Sequence, residues 1–179
     1  MTDIANARVL IIATDGFEQS ELFDPRQALL DKGAKVTLAS NKSDPIQGMK
    51  HDEKGDTIRP DASIHDVDPK DYDALLIPGG VANPDTLRME EDALKIIRAF
   101  FDQNKPVAAI CHGPWLLAEA DVVSGRTLTS WPSIRTDLRN AGAEVVDEPV
   151  VVDGNLITSR KPDDIPAFSA ALIAAIEAA

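Results

Sequence analysis

Apolar residues fall along this chain in two rhythms. Short continuous runs of aliphatic and branched residues occur at Arg8–Ala13 (RVLIIA), Lys35–Ala39 (KVTLA), Ala74–Ile77 (ALLI), Val107–Ile110 (VAAI) and Leu156–Thr158. Runs of that length and composition predict strands buried on both faces. Between them the period lengthens. Ala93, Leu94, Ile96, Ile97, Phe100 and Phe101 recur at helical spacing behind Glu90-Glu91-Asp92, an acidic first turn that suits the positive end of a helix dipole. Ile165–Ala178 is alanine-rich with the same spacing, and Pro162 and Asp163-Asp164 read as the turn that starts it. Alternating strands and helices joined by short polar connections predict an α/β fold, a three-layer α/β/α sandwich around a mostly parallel sheet.

Two stretches break the alternation. Asn41–Asp71 is polar and interrupted by glycine and proline, and reads as an excursion holding a short hairpin. Asp147–Asn155 (DEPVVVDGN) carries a valine run and then Asp153-Gly154, a two-residue turn signal for a second small peripheral hairpin. No repeat, linker or low-complexity segment appears, so residues 1–179 read as one domain.

Charge narrows the partners. Eighteen Lys+Arg against 30 Asp+Glu give a net charge of −12, which repels phosphate backbones. The densest basic pair, Arg160-Lys161, is followed by Asp163-Asp164, so nucleic acid is not an expected partner. No apolar run approaches the roughly 20 residues that span a bilayer. Met1-Thr2-Asp3-Ile4 lacks the basic start of a secretion signal. A cytoplasmic protein without membrane contact is the expectation. No GxGxxG, P-loop or clustered His/Cys set is present, so no cofactor and no metal are expected. The single cysteine allows neither an internal disulfide nor a CxxC pair.

That cysteine has informative surroundings. In Lys105–Leu117 (KPVAAICHGPWLL) an apolar run ends at Ile110, Cys111 follows, and Gly113-Pro114 opens an amphipathic stretch. Ala109 and Gly113 lie two positions either side of Cys111, as a nucleophile on a sharp strand-to-helix turn requires. Such a turn lifts the side chain over the carboxyl edge of the sheet, where ligands bind in these folds. A helix start behind the sulfur is expected to lower its pKa. His112 is adjacent, but neighbours on a tight turn usually point apart, so a Cys-His pair within one subunit does not follow from the order of residues. Pro78-Gly79-Gly80 would bring the Gly80 amide, with that of His112, to a developing oxyanion. After the first strand, Glu18 and Glu21 are three apart and share a face of the helix expected there. Pro25 leaves the start of that helix open, because Asp24-Pro25 could be its cap and first position.

Together GFEQSELFDP, IPGG and AICHGPW resemble the PfpI-type intracellular protease and deglycase family of the class I glutamine amidotransferase-like superfamily, to which a Parkinson-associated deglycase is related. The likeness continues through TSWP (Thr129–Pro132), DLRNAGAEVVDE and VVVDGNLITSRKPDD. It implies a flavodoxin-like central sheet, Cys111 as nucleophile, Glu21 rather than Glu18 bonded to the thiol, and Gly80 and His112 as oxyanion amides. Glu18 would be a supporting residue. Some members complete a Cys-His-acid triad with a carboxylate from a neighbouring subunit shortly after the PGG. Asp85 holds that place here, with a shorter side chain than the usual glutamate. Trp131 holds the pocket-lining aromatic position. Homodimers or higher oligomers are implied, with Phe23, Trp115 and Asp85 near the interface.

The family's activities differ, and chemistry separates them. Glutaminase needs a histidine after the last strands, and the only histidines are His51, His65 and His112. A peptidase needs an imidazole base and a cleft. Addition of a thiolate to glyoxal or methylglyoxal asks less, with Glu21 moving the proton. The expected function is therefore a stress-linked cysteine hydrolase acting on small aldehydes or glycated protein side chains. An intracellular cysteine peptidase is the first alternative. A cysteine redox sensor or chaperone-like stress protein, with Cys111 oxidised beside Glu21, is the second.

Overall fold

The apolar runs assemble into one sheet because none of them has a polar face to offer water. The computed structural model describes residues 1–179. The first half runs β1 (Arg8–Ile12), β2 (Phe17–Glu18), α1 (Gln19–Asp31), β3 (Lys35–Ser40), β4 (Ile46–Lys50), β5 (Glu53–Ile58), β6 (Ala62–Ser63) and β7 (Ala74–Ile77). The second half runs α2 (Ala82–Leu87), α3 (Glu91–Asp102), β8 (Val107–Ile110), α4 (Pro114–Glu119), β9 (Thr127–Leu128) and α5 (Arg135–Asn140). It closes with β10 (Glu144–Val145), β11 (Val150–Asp153), β12 (Leu156–Ser159) and α6 (Ile165–Ala178).

The main sheet has the order β11-β12-β8-β7-β1-β3-β6. All its pairings are parallel except β11 with β12. Its five long parallel strands follow the flavodoxin-like order 2-1-3-4-5, and that order reverses between β1 and β7, where such folds place ligands. Alternate residues of each strand serve opposite layers. Val9 and Ile11 pack with Leu22 and Leu29 of α1 and with Phe168, Leu172 and Ile176 of α6. Leu10 and Ile12 pack on the other side with Ile97 and Phe100 of α3 and Leu116 and Leu117 of α4. This is the three-layer α/β/α arrangement expected from the alternation. No helix is long and apolar enough to cross a membrane.

Local details depart from the sequence reading. The first helix begins at Gln19 and runs through Pro25, with Glu18 as its N-cap, so Glu18 and Glu21 do not share a helical face. Proline lacks an N–H, and the cost is one intrahelical bond, to the carbonyl of Glu21. Pro162–Asp164 forms a separate 3₁₀ turn before α6. There Asp164 accepts bonds from Arg160 Nε at 2.9 Å and Nη2 at 3.1 Å instead of capping the helix. The second hairpin turns one residue later than expected, at Gly154-Asn155, with Asp153 paired to Leu156. Asp153 is retained in the strand because its carboxylate accepts the Thr127 amide at 2.8 Å. The polar excursion does hold a hairpin, β4–β5. It belongs to a separate three-stranded sheet with β2, while β6 returns to the edge of the main sheet beside β3.

Candidate active site

Three loops converge at the carboxyl ends of β1, β7 and β8, at the point where the strand order reverses. The β8 loop is a sharp turn. Cys111 has φ +62°, a conformation that costs a non-glycine residue about 1–3 kcal/mol and persists only where the surroundings impose it. They do: the Cys111 amide donates to Ser159 O at 3.0 Å, and its carbonyl accepts the Trp131 amide at 2.9 Å. Gly113 has the small size the turn requires, since a Cβ there would sit 2.9 Å from both Ile110 O and Ile77 O.

The glutamate and the glycine pair meet at this turn. Glu21 is fully buried, and its Oε2 accepts the Gly79 amide at 2.8 Å. Its Oε1 is buried without a hydrogen-bond partner of good geometry. The amides of Gly80 and His112 both pull the pKa of the Cys111 thiol down, the influence expected of donors turned toward the sulfur. Gly80 has φ +78°, and a Cβ on it would overlap Gly16 O. Only glycine fits.

His112 differs from the expectation. Its Nδ1 lies 3.3 Å from Cys111 Sγ, so the neighbours do meet within one subunit. Two indoles hold the ring in place: Trp131 stacks at 6.0 Å and 24°, and Trp115 meets it edge-on at 5.3 Å. Trp115 is itself fixed by Nε1–H donation to Asp137 at 2.9 Å and by Arg88 over its face. The far nitrogen of His112, Nε2, lies 3.4 Å from Ser133 Oγ.

The electrostatics correct the expected fall in the thiol pKa. Burial is the largest influence on both groups. It pushes Glu21 up to about 8, helped by the charge of Glu18 and opposed by the Gly79 amide. Burial also pushes the Cys111 thiol up, and Glu21 adds to this by charge and by hydrogen bonding, while the His112 and Gly80 amides pull it down. The short helix behind the sulfur does not outweigh desolvation. With its pKa near 8, Glu21 is mostly protonated at neutral pH, so its charge weighs on the sulfur only in the ionised fraction. Burial lowers the pKa of His112, which favours the neutral imidazole and makes it a weaker base.

These groups open into a cleft of about 700 Å³. Cys111, His112, Glu21, Gly80, Trp131 and Glu18 all line it. Glu18 also accepts the His51 amide at 3.1 Å, which ties the β4–β5 hairpin to the rim. Asp85 does not line the cleft; it is exposed in the first turn of α2. Trp115 lines the cleft, and Phe23 packs edge-on against Phe17 at 5.9 Å. Sequence reasoning missed Met49 and His51, brought to the cleft by the hairpin, and Ser133 beside His112. Asn83, two residues before Asp85, is fully buried and was not singled out from the sequence either. No group of three or more His, Cys, Asp or Glu side chains is placed to hold a metal ion.

The chain is similar to known proteins over nearly its whole length. A family model described as DJ-1/PfpI family matches residues 7–175. A deglycase of Thermococcus kodakarensis is 45% identical over 161 residues, covering 90% of this chain and 94% of its own. General stress protein 18 of Bacillus subtilis is 43% identical over 172 residues, covering 95% and 98%. The crystal structure of Drosophila melanogaster DJ-1beta superposes with a TM-score of 0.85 at 32% identity, over 94% of this chain and 89% of that one.

Proposed function

Since the chain belongs to the DJ-1/PfpI family, we propose that it is a cysteine enzyme acting on reactive aldehydes, or on their early adducts with protein side chains. The observation that carries this reading is a buried sulfur with two backbone amides, a neutral imidazole and a protonated carboxyl arranged around it. A thiol of raised pKa is a poor standing nucleophile. His112 Nδ1, 3.3 Å away, takes the thiol proton in step with attack, so that no free thiolate has to form in the buried site beforehand. With methylglyoxal, a C–S bond forms at the aldehyde carbon and Glu21 gives its proton to the new oxyanion, leaving a hemithioacetal. The hydrogen on that carbon then leaves as a proton to a basic group of the site, and a proton is returned at the neighbouring carbon, giving a lactoyl thioester. Water cleaves the thioester, releasing lactate and restoring the thiol. Overall one methylglyoxal and one water become one lactate, and no oxidant is consumed. The supporting features are the deglycase and stress-protein names of close relatives and the two indoles that shape the cleft.

Lactate release from methylglyoxal by purified protein tests this, alongside Cys111→Ala and Glu21→Gln. Turnover is expected from the wild type, none from Cys111→Ala and strongly reduced turnover from Glu21→Gln. No lactate from the wild type, with Cys111→Ala indistinguishable from it, would end the proposal. A peptidase is the second reading, favoured by the 3.3 Å contact between Cys111 and His112. Within the chain the outer nitrogen of that histidine meets Ser133 rather than a carboxylate, so this reading requires Asp85 from a second copy of the chain. Hydrolysis of a fluorogenic peptide should then rise with the oligomer fraction and vanish in Asp85→Asn.

A further inference from the structure

We propose that Asn83 is a positioning residue that orients the two peptide planes of the Pro78-Gly79-Gly80 turn, so that their N–H groups face Glu21 and Cys111. This deepens the cysteine–glutamate reading and rests on it. Asn83 is fully buried at the start of α2, yet it touches no reacting group. Its side chain is spent on backbone. Nδ2 donates to Pro78 O at 3.1 Å and to Gly79 O at 3.0 Å, and Oδ1 accepts the Thr14 amide at 2.8 Å. It therefore joins the loops that leave β1 and β7, the two strands flanking the cleft.

The geometry of the peptide unit makes these bonds consequential. In a trans peptide the C=O of one residue and the N–H of the next point in opposite directions in one plane, and no cis bond is present. Pro78 O shares its plane with the Gly79 N–H, which is donated to Glu21 Oε2 at 2.8 Å. Gly79 O shares its plane with the Gly80 N–H, which acts on the Cys111 sulfur. By drawing both carbonyls to itself, one NH₂ group turns both amides into the site. Glycines provide little resistance to a peptide flip, so the turn needs an external hold. The Glu18 amide is the other donor to Gly79 O, at 3.4 Å, and nothing else comparable holds Pro78 O.

The test uses Asn83→Asp, which keeps the acceptor for Thr14 but sets a carboxylate against two carbonyls, and Asn83→Ser, which keeps a single shorter donor. The readout is the pH profile of Cys111 alkylation by iodoacetamide, which needs no substrate, together with kcat and KM on methylglyoxal. Asn83→Asp should move the alkylation profile up by about one pH unit, slowing the reaction about tenfold at pH 8. Its kcat should fall at least about tenfold with KM little changed, and Asn83→Ser should lie between it and the wild type. Leu172→Ala, a remote core change in α6, controls for lost stability. The proposal is overturned if folded Asn83→Asp alkylates like the wild type, or if Leu172→Ala at equal stability shifts the profile as much. If Asn83→Asp does not fold, an unshifted profile in Asn83→Ser overturns it. A shifted profile in a protein that makes no lactate would retain the positioning role and reject the aldehyde reading.

Discussion

Replacing Glu21 by glutamine should make the protein more stable at neutral pH, although the glutamate is fully buried at the centre of the site. Glutamine mimics the protonated acid: its oxygen can accept the Gly79 amide and its NH₂ can face the sulfur. In the folded protein the Glu21 pKa is about 8 against an ordinary value of 4.5; unfolding restores the ordinary value. Between those pH values the unfolded chain holds fewer protons than the native one, so stability falls as pH rises through that window. A rise from 4.5 to about 8, at 1.36 kcal/mol per pH unit, is worth about 5 kcal/mol in total, and about 3 kcal/mol of it is already lost at pH 7. Against a usual domain stability of roughly 5–15 kcal/mol this is large. Urea unfolding at intervals from pH 5 to pH 8.5 measures it. His65 is also shifted up, by Asp92, and His112 down, by burial, so the informative quantity is the difference between wild type and Glu21→Gln. The difference should be small near pH 5, favour the variant by about 3 kcal/mol at pH 7 and widen further toward pH 8. A flat difference, or a variant less stable than wild type at pH 8, would refute the assignment of a neutral buried carboxyl.

Two further outcomes follow from packing. Gly80→Ala places a Cβ onto backbone atoms of Gly16 and Glu18 that cannot swing away, at a positive φ. It should lose at least about 2 kcal/mol in urea unfolding and lose methylglyoxal turnover even in the fraction that remains folded. Phe168→Ala opens a cavity where α6 meets the sheet, at a side chain with no exposure. It should lose about 3–5 kcal/mol while leaving the Cys111 alkylation profile of the native protein in place.

The layers of the fold were readable because burial on both faces leaves a continuous apolar run, and Ala74–Ile77 and Val107–Ile110 are strands with the expected ends. The elbow was readable for the same kind of reason: Gly113 is small because two carbonyls lie where a side chain would begin. What failed was decided by partners far away in the chain. Asp153 stays in its strand for the Thr127 amide, and Asp164 turns to Arg160 rather than to a helix end. His112 reaches the sulfur because two tryptophans, one of them 19 residues further along the chain, hold its ring. The thiol pKa was misjudged because a local cue, the helix start, is weaker than burial, which only the assembled layers reveal. Asn83 was passed over because a polar residue in a turn-rich segment ordinarily faces solvent.

The hairpin has a consequence for how such a site can change. Cys111 and Glu21 stand on the main sheet and its first helix, whereas Met49 and His51 come from β4–β5, which is held chiefly at Asp15–Gln19, by pairing with β2 and by bonds to Asp15, Gly16, Glu18 and Gln19, with Ile46 packed into the core. Under the proposed function, the reacting groups and one wall of the cleft thus lie on separate lengths of chain. A hairpin of another length or sequence, transplanted between β3 and β6, could present a different wall to the substrate without disturbing the sulfur, the carboxyl or the amides that hold them. Divergence in what is accepted, with the reacting atoms kept, would need changes in little more than a dozen consecutive residues.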